Sequence, residues 1–211
     1  MAAEGWHPDP TANLESGDGV VGLFRYPLNE DFATRAGFAW LGDLPPLQVD
    51  TGIGVSYERS FRVWPYLTGY PRCELRFGVV EGALVAPLVE LWELEEVDRA
   101  VDEIVTPVLE GAIAWAEPYG LFEAFLAALE NSSEAVVELQ DLPVVLAAAG
   151  MPLDARRTMT SARAKYANTD DDLLMDDFSA RFERWLASGA PQVPFGEPDP
   201  PFPVWTEPEW W

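Results

Sequence analysis

Apolar residues recur with a period of two up to about Leu91 and with a period near 3.6 from Leu94 onward. That change of rhythm restricts the fold more than any other feature of the chain. Tyr57, Phe61 and Val63 alternate with Glu58, Ser60 and Arg62, and Cys73, Leu75, Phe77 and Val79 alternate with Arg72, Glu74, Arg76 and Gly78. Period two gives one buried and one wet face, the pattern of an antiparallel sheet. Gly69-Tyr70-Pro71 turns this first pair, and Glu81-Gly82 turns into a third strand over 83–91, where Pro87 implies an edge or a bulge. Beyond Leu94, Val97, Val101, Ile104, Val105 and Val108 mark a helix that Pro107 kinks or restarts, with Thr106 as the cap of its second part.

Further helices are expected over 121–129, over 142–149 with Asp141 as cap and Gly150 and Pro152 as terminators, and over 153–167. A last one, lined by Leu174, Phe178, Phe182 and Trp185, starts at Thr169-Asp170-Asp171-Asp172 and stops at Gly189. Upstream, Asn29 followed by Glu30 and Asp31 predicts a short helix through Ala36, ended by Gly37. Strands followed by helices indicate an α+β domain, an antiparallel β-meander packed by helices with a C-terminal helical hairpin.

Residues 1–19, rich in Gly, Pro, Asp and Asn, read as a loose arm. Residues 20–189 read as one domain, and 190–211, with seven Pro, five aromatics, four acids and no base, as an extended tail. At 48% hydrophobic residues with nine Trp, the 211-residue chain has ample material for a core. No stretch approaches the roughly 18 apolar residues of a membrane span, and the N-terminus lacks the pattern of a secretory signal. A lone Cys73 forms no internal disulfide, which points to a reducing cytoplasm. Arg supplies all the basic residues but Lys165, the mark of a GC-rich, actinobacterial coding bias.

Charge is the other dominant signal. The chain carries −23, and between Phe77 and Ala155 sixteen acids face a single base, Arg99. DNA and RNA are excluded as ordinary ligands, because their binding relies on Lys and Arg neutralising phosphates. The densest acids, Glu90, Glu93, Glu95, Glu96, Asp98, Asp102 and Glu103, fall opposite or beside the Val97/Val101/Ile104 stripe. A run of charge is usually a solvated face, but ordinary solvated helices mix signs through i,i+4 pairs. Unrelieved repulsion lowers stability, and a basic protein partner would relieve it. The tail aromatics Phe202, Trp205, Trp210 and Trp211 either pack back on the domain or engage that partner.

Other motifs carry less. The only histidine, His7, lies in the arm, away from any rigid element that a zinc site or a Ser-His-Asp triad requires. Cys73 sits on the inward register of its strand and reads as a core thiol. Asp50-Thr51-Gly52 resembles the aspartic-protease triplet, but that chemistry needs two carboxylates sharing a proton. Gly52-Ile53-Gly54 lacks the helix that a dinucleotide loop feeds, and reads as a turn into a strand. Asp170-Asp171-Asp172 and Asp176-Asp177 lack calcium-loop spacing and suit a helix start. No catalytic residue, cofactor or metal is therefore expected.

Over about 29–187 the order of elements resembles a family of uncharacterised bacterial α+β domains found among immunity proteins of polymorphic-toxin loci. The matching features are Ala36-Gly37-Phe38 at the end of the short helix, the meander over 54–91, and Asp102-Glu103-Ile104 leading to Pro107-Val108-Leu109. The 121–129 helix and the terminal helix pair also fit. The resemblance implies a non-catalytic inhibitor of a toxin. Gly5-Trp6-His7-Pro8-Asp9-Pro10 separately resembles the opening of a small actinobacterial membrane-associated module, without that module's Trp-Asp-Gly continuation. Two further readings stand beside the inhibitor: a nucleic-acid mimic that occupies a DNA-binding enzyme, and an enzyme that uses carboxylates alone.

Overall fold

The structure, a computed structural model, describes residues 5–8, 20–41, 47–68, 80–82, 90–91, 103, 105–167, 169 and 175–190. The chain divides into two compact units. One is built from Met1–Glu58 and Arg72–Ala128, the other from Arg59–Pro71 and Leu129–Trp211.

The first unit is an antiparallel sheet packed by helices, so the α+β class read from the sequence is the observed one. Strands β1 (His7–Pro8), β2 (Val20–Pro27), β3 (Phe32–Leu41), β4 (Leu47–Tyr57) and β5 (Val80–Gly82) lie in that order, and β6 (Glu90–Leu91) also pairs with β4. Every pairing is antiparallel, and β2–β3–β4 form the meander. A bulge between Val20 and Gly22 shifts the β2–β3 register.

The meander therefore begins earlier than expected. Phe32 to Ala36 form a strand, not the predicted helix after Asn29. The Asn29 Oδ1 atom accepts from the N–H groups of Asp31 (2.9 Å) and Phe32 (3.0 Å), as a helix cap would. The same bonds close an Asx turn, and here they shape the β2–β3 hairpin, with Leu28 N–H donating to the Phe32 carbonyl at 2.9 Å. Asn29 Nδ2 also donates to the Gly120 carbonyl at 2.9 Å.

The expected strand over Tyr57, Phe61 and Val63 is likewise corrected. β4 ends at Tyr57, and helix α1 (Glu58–Thr68) follows without a break. Its buried residues Ser60, Val63 and Leu67 repeat at helical spacing. The strand expected over Cys73–Val79, most of the one over 83–91, and the helix over 95–102 lie outside the described residues. Glu81-Gly82, expected to turn, pairs with Gly54 and Ile53.

Helix α2 (Thr106–Ala116) lays Val108, Leu109 and Ala112 on Ala36, Phe38 and Ile53 of the sheet, with Phe24 and Tyr26 alongside. Pro107 sits in its first turn, where a missing N–H costs nothing, and Thr106 makes no side-chain cap. A 3₁₀ turn (Glu117–Gly120) leads to helix α3 (Phe122–Glu130). Phe122 and Phe125 meet Tyr57 and Phe32 edge to face, at 5.5 and 5.2 Å between centroids.

Within the expected loose arm, Gly5–Pro8 is held. Trp6 is 2% exposed in the same core as α2 and lies 5.6 Å from the Tyr26 ring, while His7 and Pro8 pair with Arg25 and Phe24. Gly5 has φ +85°, and a Cβ there would stand 2.6 Å from the Tyr26 ring.

The second unit is helical. A π-helical turn (Val137–Asp141) runs directly into α4 (Leu142–Ala148), every residue of which is buried. Asp141 stands at the expected cap position but makes no side-chain cap bond. Helices α5 (Pro152–Tyr166) and α6 (Met175–Ala187) follow, and α6 buries Phe178, Phe182 and Trp185. The C-terminal helical pair is tied by Arg156 Nε to Glu183 Oε2 at 3.1 Å. Gly150 (φ +83°) and Gly189 (φ +88°) end α4 and α6 as the sequence indicated. The Pro-rich tail lies outside the described residues.

Candidate functional site

Three sets of polar groups stand out. The first is buried inside the sheet unit. The β2–β3–β4 register puts Arg25 beside Arg35 and Arg35 beside Gly54, so one face of the sheet carries both guanidiniums and Ser56. Arg35 is fully buried, and Glu58, the first residue of α1, is 2% exposed. Arg35 Nη2 donates to Glu58 Oε1 at 2.9 Å, and Arg25 Nη2 lies 3.3 Å from Glu58 Oε2. Arg35 Nη1 also donates to Ser56 Oγ, which lies 3.2 Å from Glu58 Oε1 and 3.4 Å from the Ala33 carbonyl. Each carboxylate oxygen thus meets a different arginine. The cluster ties buried side chains of β3, β4 and the start of α1 to Arg25 of β2, and so fixes these elements in register. Sequence reading missed it. The available signal was an arginine inside the otherwise small and apolar run Phe32-Ala33-Thr34-Arg35-Ala36-Gly37-Phe38.

The second set is acidic and exposed. Glu110 in α2 and Glu117 in the 3₁₀ turn stand seven residues apart, Glu123 follows on α3, and Glu103 precedes α2 in sequence; all four are exposed. Glu110 and Glu117 lie about 10 Å apart at a helical rise of 1.5 Å per residue. No Lys or Arg occurs in the sequence between Arg99 and Arg156. Between Glu117 and Glu123 stands Leu121, 68% exposed. Trp115 and Tyr119, partly exposed, pack ring to ring there at 5.3 Å.

Of the residues nominated from sequence, Glu103 belongs to this set and Glu90 lies in β6, its backbone opposite Gln48. Glu93, Glu95, Glu96, Asp98, Asp102, Trp205, Trp210 and Trp211 lie outside the described residues. Asp50-Thr51-Gly52 is in neither a turn nor a loop; it runs through β4 opposite Phe38 and Gly37. His7 is exposed in β1. Among the described residues no group of three or more His, Cys, Asp or Glu stands close enough to hold a metal. No helix among them is long and apolar enough to cross a membrane.

The third set lies in the helical unit. Lys165 Nζ bonds Glu138 Oε1 at 2.5 Å, and Tyr166 Oη reaches the same oxygen at 3.2 Å. The bond to Glu138, with a smaller contribution from Tyr166, raises the Lys165 ammonium above its ordinary pKa of 10.5. These groups edge a cleft whose other walls carry Arg157, Ser161 and Glu130.

No protein-family model, no curated protein and no solved structure matches this chain. The functional reading therefore rests on the residues themselves.

Proposed function

We propose that this chain is a non-catalytic, cytoplasmic binding protein that captures a basic protein partner, an immunity-type inhibitor of a cationic toxin or nuclease. The observation that carries this reading is the exposed set Glu103, Glu110, Glu117 and Glu123 with Leu121, Trp115 and Tyr119 among them. Apolar and aromatic anchors inside a charged surround are the arrangement that protein interfaces use. Glu110, Glu117 and Glu123 would accelerate encounter with a cationic protein. The same geometry disfavours the nucleic-acid mimic. One carboxylate in about 10 Å is far sparser than one phosphate per 3.4 Å of strand.

The test is affinity capture of a basic partner from the source organism, followed by association kinetics on the purified pair and assay of the partner's enzymatic activity. Association should slow at least tenfold between about 50 and 500 mM salt, with dissociation changing little, and the partner's activity should be blocked. Reversing Glu110, Glu117 and Glu123 to Lys should slow association at low salt by a similar factor. A salt-independent association rate, or a triple variant that associates like the parent, would remove this surface from the mechanism.

A further inference from the structure

A cleft of about 350 Å³ opens in the helical unit, lined by the end of α3, the π-helical turn, α4 and one face of α5. That volume lies in the range of small-ligand sites. On the α5 wall stand Arg157, Thr158, Ser161 and Lys165. Positions 157, 161 and 165 form one ridge at i, i+4 spacing. The opposite wall carries Glu130 and Glu138, and Leu129, Leu142 and Ala162 supply the apolar floor. Glu138 sits on the π-helical turn, and such widened turns are frequent at functional sites because they re-aim a side chain.

The groups are not equivalent. Lys165 and Glu138, both at the cleft, are committed to each other. Among the described residues Arg157 is paired with its neighbour Asp154, 3.2 Å away, with 78% of its side chain exposed. Glu130, Thr158 and Ser161 have no side-chain partner among the described residues. The remaining groups are thus one exposed cation with two hydroxyls, and one carboxylate, over an apolar floor. A simple anion would meet Arg157 but also Glu130, and a simple cation the reverse. A ligand carrying both charges satisfies both walls. Leu153, 74% exposed, lies one turn before Arg157 on the same ridge and offers surface for a second apolar side chain.

We propose that this cleft binds a short zwitterionic peptide, a dipeptide with apolar side chains. Its carboxylate lies on Arg157 and Ser161, its ammonium on Glu130, and its side chains on Leu129, Leu142 and Leu153. No bond is made or broken. The site is independent of the acidic surface on α2, and either can stand without the other.

Calorimetric titration of the full chain with Leu-Leu tests it, beside Leu-Leu amide, which lacks the carboxylate, and N-acetyl-Leu-Leu, which lacks the ammonium. Leu-Leu should bind saturably below 10 mM, and each blocked form at least tenfold more weakly. Glu130→Gln should weaken Leu-Leu by a similar factor yet leave N-acetyl-Leu-Leu unchanged. Arg157→Gln should do the converse with the amide. Both substitutions are at exposed positions, and an unchanged melting temperature will show that the fold is kept. No saturable heat, equal affinity for the three peptides, or variants that bind Leu-Leu like the parent would each overturn the proposal.

Discussion

Glu58 is held by two arginines, so removing its charge disturbs both contacts at once. Arg35 is fully buried. Replacing Glu58 by Gln withdraws the carboxylate that lies 2.9 Å from its guanidinium. Breaking one side of a buried pair costs about 3–5 kcal/mol, whereas replacing both sides by apolar groups of similar volume is often neutral. Urea melts of Glu58→Gln should show a loss of that size, and Arg35→Met with Glu58→Leu should recover most of it. A loss under about 1 kcal/mol for Glu58→Gln would mean that the cluster does not hold the register. Lys165 makes the opposite case, a pair at the surface. Its ammonium is favoured by Glu138, so its contribution to the fold is complete below the unfolded pKa and is lost as pH rises through the raised folded value. The melting temperature of Lys165→Met should therefore differ from that of the parent by a constant amount from about pH 6 to 9. The two should converge only above the ordinary value of 10.5. Convergence near neutral pH would contradict the assignment.

At the scale of elements, the glycines separate two kinds of constraint. Gly150 and Gly189 have positive φ, and a Cβ at either would meet nothing within 4 Å. Alanine there costs only the left-handed backbone, about 1–2 kcal/mol. Gly5 has the same sign of φ, but its Cβ would strike the Tyr26 ring at 2.6 Å, so Gly5→Ala must also disturb the Trp6 anchor. In thermal melts Gly5→Ala should be the costliest of the three, and it should shift tryptophan emission to the red as Trp6 becomes wet, whereas Gly150→Ala should leave the emission unchanged. Equal losses for all three would show that the β1 strand is not anchored by this packing. The C-terminal half was legible in the sequence. Gly150, Gly189 and the 3.6-residue stripes fall within one or two residues of the ends of α3, α4 and α5 and of the C-terminal end of α6. The N-terminal half was not, and the reasons are local. Asn29 makes the same two side-chain bonds in a hairpin as in a helix cap, so its chemistry does not distinguish them. Tyr57, Phe61 and Val63 fit period two by accident of the β4–α1 junction, which lies between the first and the second of them. The Arg35–Glu58 cluster depends on a register that joins positions 23 residues apart. No window of the sequence contains such a pairing.

For the whole molecule the governing quantity is a net charge of −23. Much of it is borne by helices whose exposed faces carry Glu110, Glu117, Glu123 and Glu130, and the chain supplies no base from residue 100 to 155 with which to pair them. Self-repulsion of that kind opposes the compact state, and salt relieves it. The Debye length falls from about 30 Å at 0.01 M to about 8 Å at 0.15 M ionic strength. The free protein should therefore melt several degrees higher in 0.15 M than in 0.01 M sodium chloride. Reversing Glu110, Glu117 and Glu123 to Lys should raise the low-salt melting temperature by about 1–4 °C, since each exposed change is worth a few tenths of a kcal/mol. It should also flatten the salt dependence. The same triple variant separates the two meanings of the acidic surface. A merely solvated face gains stability and loses nothing. A docking face gains stability and loses its partner, because the charges that destabilise the free chain are those that steer the encounter. If the variant melts lower than the parent at low salt, these acids are engaged within the fold, and neither meaning applies.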